Sequence, residues 1–453
     1  MILARVVSAA VSGLLVTAAV HAIGEGPSPR PANVVLITLD TTRADRLSPY
    51  GGAVGVMPTL DAWAARGIVF DDATTLAPLT LPAHTSLLTG RTPPDHGVRD
   101  NSGALGEDVP TIASALHGAG YRTAAFVSSV VLGTHTGLAR GFDVYRDVGV
   151  DGVLHRFRRP GSETTDEAVQ WLDRNAGAPF FLWLHLYDAH APIDLPEPFR
   201  TTYLNDPYDG ALAFMDGQLA RIAATLEDRG ISDSTAIVVA ADHGEALGDH
   251  GERGHGIFVY QSVVHVPLVI IWPGVRPGRV RTPVELTDVM PTVLAIEGVA
   301  RARVDGRPIA PFVRTAYAPA RDVYTESMYP RRFGWSDLRS LRAGALKVID
   351  APRPELYDLA VDPGEAHNLI GERRAEAEAL LRRLRALSDG AGGGALATAS
   401  ADTARALRSL GYLATPARGM PALLPDPKDM IADYNVLEAQ RPRRPGSDDR
   451  DDR

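Results

Sequence analysis

The chain has 453 residues, is 45% hydrophobic and 22% charged, carries a formal net charge of −9 and contains no cysteine. Zero cysteine excludes disulfides, thiolate metal sites, thiol nucleophiles and any catalytic group made by oxidising a cysteine. The balance of 55 acids against 46 bases excludes a general nucleic-acid coat, because neutralising phosphates needs a basic surface, but leaves room for a local cationic pocket.

In chain order, Arg5 precedes an apolar run over residues 6–20, and Val20-His21-Ala22 places small residues around a cleavage site after Ala22. A run of about fifteen residues is short of the ~20 that a bilayer span needs, so residues 1–22 read as a signal peptide, with a short membrane anchor as the alternative. Either reading puts the body outside the cytoplasm, periplasmic or secreted, and confines membrane contact to this segment. After a Gly/Pro-rich stretch (24–31), continuous apolar runs at 33–40, 179–186, 235–241 and 266–272 read as buried strands. Helical patterns cover 111–119, 164–175 and 208–229. This alternation predicts an α/β fold with a mainly parallel sheet sandwiched by helices, over a main domain at 31–310. Short strands at 323–326, 338–341 and 345–349 followed by a helix at 375–387 predict a smaller C-terminal α+β subdomain at 311–390. Residues 391–453, opened by the glycine-rich break at 390–394 and ending in the polar stretch 441–453, read as a flexible tail.

In open α/β sheets, ligands bind beyond the carboxyl ends of the strands. Three of the expected strands run there into metal-capable side chains: Asp40; Asp188 and His190; and Asp242, His243 and Glu245, followed by His255. One aspartate at a strand end is usually a helix cap, but three such ends are hard to explain as caps. Mixed oxygen and imidazole donors suit zinc or manganese, whereas an all-oxygen set would suit calcium better. Thr80-Leu-Pro-Ala-His-Thr-Ser-Leu-Leu-Thr-Gly90 describes a short helix with a defined start and stop. Thr80 at its start is either an N-cap or, beside a divalent metal, a nucleophile for phosphorus or sulfur.

These residues resemble the sulfatase family of the alkaline phosphatase superfamily. Its opening strand and metal aspartate match residues 36–45. Its signature, nucleophile-x-Pro-x-basic followed by Ser-Leu-x-Thr-Gly, matches 80–90. Asp188-Ala-His190-Ala-Pro192 and Asp242-His-Gly-Glu-x-Leu-Gly-Asp-His-Gly251 follow in order, and ordered landmarks run from 33 to about 370. The resemblance implies an ester hydrolase with a divalent metal (zinc, manganese or calcium) and a small-molecule, glycan or lipid ester as substrate. It also carries departures. Thr80 stands where the family has the Cys or Ser that becomes formylglycine, and threonine cannot form that aldehyde because its β-carbon bears a methyl group. His84 replaces the signature arginine, His255 stands for a later lysine, and residues 126–132 supply no cation. Threonine at this position is similar to the superfamily's phosphodiesterases and phosphoethanolamine transferases.

On that likeness, Asp40, Thr80, Asp242 and His243 hold one metal. Asp188, His190 and His255 hold a second or, alternatively, His190 and His255 contact the anion or protonate the leaving group. His84 and Asn101 are further candidate substrate contacts, with a turn role as the alternative for Asn101. Asp45 reads as a cap, His185 and Trp183 as core, and His250 as a support for the Asp242 loop. The expectation is an exported, metal-dependent, sulfatase-like hydrolase cleaving a sulfate or phosphate ester through Thr80. A phosphodiesterase or phosphoethanolamine-type transferase and a non-catalytic anion-binding relative are the rival readings.

Overall fold

A computed structural model describes residues 32–148, 157–300, 304–309, 321–388 and 424–439. The expected signal segment, the break at 390–394 and the polar stretch 441–453 lie outside the described residues. The central sheet is built from β1 (Asn33–Leu39), β2 (Ile68–Phe70), β4 (Arg122–Val127), β5 (Val144–Arg146), β6 (Phe180–Leu186), β7 (Thr235–Ala241), β9 (Leu268–Ile271) and β10 (Gly278–Val280). Two-residue strands β3 (Ala73–Thr74), β8 (His265–Val266) and β11 (Val284–Glu285) form a separate small sheet. In space the large sheet runs β10-β2-β9-β7-β1-β6-β4-β5.

The runs expected to be buried strands, β1, β6 and β7, lie side by side and parallel in the middle, fully covered on both faces. Their lack of alternation follows from that double burial. β9 departs from the parallel pattern, pairing antiparallel with both β7 and β2. The run 266–272 is also broken into β8 and β9, at Pro267, which has no N–H to give to a ladder.

Successive strand residues face opposite sides, and two cores follow. Leu36, Trp183 and Val238 face one core, into which Leu81, Leu87 and Leu88 of the helix Thr80–Thr89 pack together with Leu116 and Leu294. Val35, Ile37 and Val239 face the other, against Leu172, Leu212 and Met215 of the helices Gly161–Asn175 and Pro207–Asp228. The helix expected from 164 begins at Gly161, because a carboxylate from a distant loop, Asp188, accepts the Gly161 N–H at 3.0 Å. A cap supplied through space leaves no local signature.

The C-terminal region is an antiparallel sheet of β12 (Asp322–Ser327), β13 (Leu338–Ala343), β14 (Leu346–Asp350) and β15 (Glu355–Asp358). Leu341, Val348 and Leu356 on one of its faces pack against Ala377, Leu381 and Leu384 of the helix Arg374–Ser388. The tail is not uniformly without structure. Residues Pro427–Ala439 form a helix whose Tyr434 is 4% exposed and meets the rings of Tyr329, Phe333 and Trp335. Among the described residues no helix is long and apolar enough to cross a membrane.

Ile37 is fully buried in β1, the strand between the two other central runs. Ile37→Ala is expected to cost about 3 kcal/mol, read as a lower urea midpoint at unchanged slope.

Candidate active site

The site follows from strand register. Leu39 lies level with Leu186 of β6 and Ala241 of β7, so Asp40, Tyr187 and Asp242 emerge together at one rim of the sheet. The period of two places Asp40 on the same face as Leu36 and Thr38, and Asp242 on the same face as Val238 and Ala240. That is the face covered by the helix Thr80–Thr89. Asp40, Thr80, Asp242 and His243 are all 0% exposed.

Each of these groups has part of its hydrogen-bonding capacity used for support and part left over. Asp40 Oδ2 takes a bond from His185 Nε2 at 3.2 Å, and the Ser128 N–H donates to His185 Nδ1, so the proton of this imidazole sits on Nε2. Asp242 Oδ1 accepts the backbone N–H groups of Thr41 (3.2 Å) and His243 (2.8 Å). His243 Nδ1 donates to the Gly244 carbonyl at 2.9 Å. Asp40 Oδ1, Asp242 Oδ2, His243 Nε2 and Thr80 Oγ1 accept or donate no hydrogen bond, although His243 Nε2 and His84 Nδ1 each lie 3.5 Å from Asp242 Oδ2. Among the described residues, Asp40, Asp242 and His243 are the one group with ligand atoms all within 4.8 Å of one another.

Burial raises the pKa of Asp40 well above the ordinary aspartate value, and the Thr80 hydroxyl lies close enough to pull it partly back. Burial, and then the neighbouring Asp40, raise Asp242 likewise. Burial holds His243 down to about 4, leaving a neutral imidazole. Buried polar atoms are nearly always satisfied, so two carboxylate oxygens, an imidazole nitrogen and a hydroxyl left bare in one place fit a divalent cation.

Thr80 is not a cap. The helix begins at Thr80 itself, its preceding residue is Leu79, and no side chain at that position caps it. The Leu81 N–H is taken instead by Asn101 Oδ1 at 2.8 Å, which leaves the buried Asn101 Nδ2 without a partner beside the threonine. The Asn101 loop is gripped from the C-terminal sheet: Arg99 pairs with Glu326, and Arg332 reaches Asp100 at 2.7 Å and Ser102.

His84 corrects an expectation. It is 0% exposed, with Nδ1 donating to the Thr80 carbonyl at 2.7 Å and Nε2 facing the Thr38 hydroxyl at 3.0 Å, which itself accepts the Trp183 indole N–H. Burial lowers its pKa well below the ordinary value. It is a neutral group that fixes the backbone of Thr80, not a cationic contact for substrate.

Asp188 Oδ1 serves the start of the helix Gly161–Asn175, its buried Oδ2 makes no hydrogen bond, and the residue stands outside the Asp40–Asp242–His243 group. The proposed companions of Asp188 do lie near the site. The His255 ring is 4.3 Å from that of His243 and 5.0 Å from that of His190. His190 Nδ1 donates to the Ala191 carbonyl at 2.6 Å, and burial keeps this imidazole neutral. His255 Nδ1 faces both oxygens of buried Glu245 at 3.3 Å. His250 stacks on the Tyr260 ring, and its Nε2 meets the Gly364 carbonyl at 3.1 Å. At 126–132 Ser128 and Ser129 are tied to Thr164 and the Val131 N–H.

Sequence reasoning missed the supporting roles of His185, Thr38 and Trp183. The available signal was polarity at the wrong place: His185 and Thr38 sit opposite each other near the ends of otherwise apolar strands.

The profile of the Sulfatase family matches residues 32–299. The chain belongs to the sulfatase family. Steryl-sulfatase of Mus musculus is 26% identical to it over 500 residues, covering 77% of this chain and 80% of the mouse protein. The crystal structure of a phosphonate monoester hydrolase of Agrobacterium radiobacter superposes with a TM-score of 0.69 at 22% identity, over 80% of this chain and 96% of that one. A protein solved with its substrate D-glucosamine-2-N,6-O-disulfate gives a TM-score of 0.67 at 21% identity, over 80% and 98% of the two chains. At these identities the structural likeness is one of fold, and it extends over most of this sulfatase-family chain.

Two expectations follow from the donor set. Without metal, Asp40, Asp242 and Glu245 (raised by burial to about 8) hold their protons more tightly folded than unfolded. Their contribution is therefore complete below the ordinary carboxylate pKa and is lost as pH rises towards about 8. Chelated protein should melt at a lower temperature at about pH 8 than at about pH 5, and added manganese or zinc should raise the melting temperature more at the higher pH. Asp242→Asn should abolish that metal-dependent gain. Gly244→Ala would set a Cβ 2.2 Å from the Ser262 carbonyl oxygen, so it should displace His243 and weaken metal binding as measured by calorimetry.

Proposed function

We propose that this protein is a metal-dependent hydrolase of phosphate- or phosphonate-type esters that works through Thr80, and that its apolar N-terminal segment directs it out of the cytoplasm. The observation that carries the reading is the bare Thr80 hydroxyl, capping nothing, next to the bare atoms of Asp40, Asp242 and His243. These four residues would hold the cation. Imidazole among the donors favours zinc or manganese over calcium. Such a cation, when bound, lowers the pKa of the hydroxyl and offsets charge on the ester oxygens.

The chain's own groups do the rest. His84 and Asn101 fix the main chain on either side of Thr80 Oγ1, through the Thr80 carbonyl and the Leu81 N–H. Asn101 Nδ2 donates to an equatorial oxygen of the ester. Oγ1 attacks phosphorus in line as its proton passes to an imidazole Nε2 of His190 or His255; an Oγ1–P bond forms, the bond to the leaving oxygen breaks, and that oxygen takes the proton from the imidazole and departs as the alcohol. Water then attacks the phosphothreonine and gives a proton to the same imidazole, which passes it to Oγ1 as the Oγ1–P bond breaks, so Thr80 recovers its hydroxyl. Burial lowers the pKa of His190, which leaves its imidazole free to take a proton. Sulfate esters are the weaker fit. A sulfated threonine has no route to the aldehyde whose formation releases sulfate in formylglycine enzymes, because its β-carbon carries a methyl group.

With manganese or zinc present, aryl phosphate and phosphonate monoesters should be hydrolysed faster than aryl sulfate. Thr80→Ala should lower kcat by at least about a hundredfold with metal still bound, and Thr80→Ser should retain part of it. Acid-quenched protein should yield a phosphorylated Thr80 peptide. Asn101→Ala should lower kcat by about a hundredfold, the effect of losing one oxyanion donor. Sulfate turnover that survives Thr80→Ala would overturn the assignment.

A further inference from the structure

The loop that carries His255 is held at its start by Arg43, which donates to the Glu245 and Ala246 carbonyls and to Asp249, and beyond that by the C-terminal part of the chain. Its backbone is in an unfavourable conformation: Leu247 and His250 have φ of 53° and 52°, in the left-handed region that side chains other than glycine rarely adopt. Such a path persists only where its surroundings over-determine it. Internally, Glu252 accepts the N–H groups of Ile257 and Phe258. Backbone bonds inside the loop add to this, among them the Ala246 N–H to the Gly254 carbonyl and the Gly248 N–H to the Glu252 carbonyl, both at 2.8 Å, and further holds come from outside. Ser327 of β12 bonds the Gly256 carbonyl, buried Lys347 of β14 donates to the Val259 carbonyl at 2.6 Å, and Glu365 accepts the Gln261 N–H.

The middle of the loop is held by the helix Pro427–Ala439. One side-chain amide there, that of Asn435, makes two bonds: Nδ2 donates to the Gly251 carbonyl at 2.6 Å, and Oδ1 accepts the Arg253 N–H at 3.2 Å. Asn435 thus acts on this stretch as one rung of a neighbouring strand would. Close packing supports it, since a Cβ on Gly251 would lie 3.5 Å from Ile431 Cγ2. The helix is fastened at its other end by Lys428 to Glu355 and by Asp429 to Arg353.

We infer that the helix Pro427–Ala439 is a clamp on the catalytic loop and that Asn435 is a positioning residue which, through Gly251 and Arg253, sets the place of His255 beside His243. The inference rests on the reading of His255 as a participant in ester hydrolysis. It gives the C-terminal region a task in the chemistry, distinct from selecting the organic part of a substrate.

The experiment uses full-length protein and Asn435→Ala, with Ile431→Ala as a second variant that loosens the helix without touching the amide. Hydrogen exchange, measured without substrate, should quicken at the amides from Arg253 to His255 and stay unchanged in β1 and β7. With an aryl phosphonate monoester, kcat should fall about tenfold at little-changed KM and unchanged manganese content, the scale expected for a misplaced group. In a His255→Ala background, Asn435→Ala should add nothing further, because both changes act through one group. Exchange that stays slow at His255, or effects of the two substitutions that multiply, would overturn the clamp. If no ester is turned over by the parent protein, the hydrolase reading fails while the exchange data alone decide the clamp.

Discussion

Two buried carboxylates, Asp40 and Asp242, stand side by side at the rim of a sheet with only imidazoles, those of His84, His185 and His243, paired against them, and most of what surrounds them follows from that arrangement. Each has one oxygen fixed from behind, by His185 in one case and by two backbone N–H groups in the other, and one oxygen turned to the same space. Burial and mutual repulsion make two charged carboxylates there costly, a cost that a divalent cation would offset. The arrangement is rigid because the strands that deliver it are the three most deeply covered ones, matched residue for residue in register. Strand register thus does for the ligands what a flexible loop could not.

The imidazoles give the site its chemical character. His84, His185, His190 and His243 are all neutral as a result of burial, so anion recognition does not rest on a ring of cations. The signature arginine of the family is replaced by a chain of neutral bonds, from the Trp183 indole to the Thr38 hydroxyl to His84 to the Thr80 carbonyl. A fixed cation beside these imidazoles is Arg158, which donates to the His190 carbonyl at 3.0 Å. The remaining recognition falls to single donors such as Asn101, whose loop is anchored by Arg99 and Arg332.

Much of this could be read from the sequence. The runs ending in Asp40 and Asp242 were long, apolar and β-branched, and only a doubly covered strand accounts for such a run. The helix from Thr80 carried its own start and stop. What escaped was whatever depends on direction in space. Asp188 looks from its strand end like Asp40 does, yet it turns to cap a helix that begins at Gly161. His84 occupies a position that in the resemblance is cationic, and only the packing around it shows that both ring nitrogens are already engaged. β9 reads as one more buried strand, since an apolar run does not record which way its neighbour points. The helix Pro427–Ala439 has a weakly amphipathic sequence beside a polar tail, and its order comes from four aromatic rings meeting in three dimensions.

The methyl group on the Thr80 β-carbon has a consequence at the level of biosynthesis. On the function proposed above, the nucleophile is a plain encoded amino acid and needs no maturation partner. The catalytic side chains would then be complete as translated, and beyond export their competence would depend on folding and ion supply. Its activity in a foreign host should therefore track metal in the medium and be indifferent to whether that host possesses the machinery that converts cysteine or serine in related proteins.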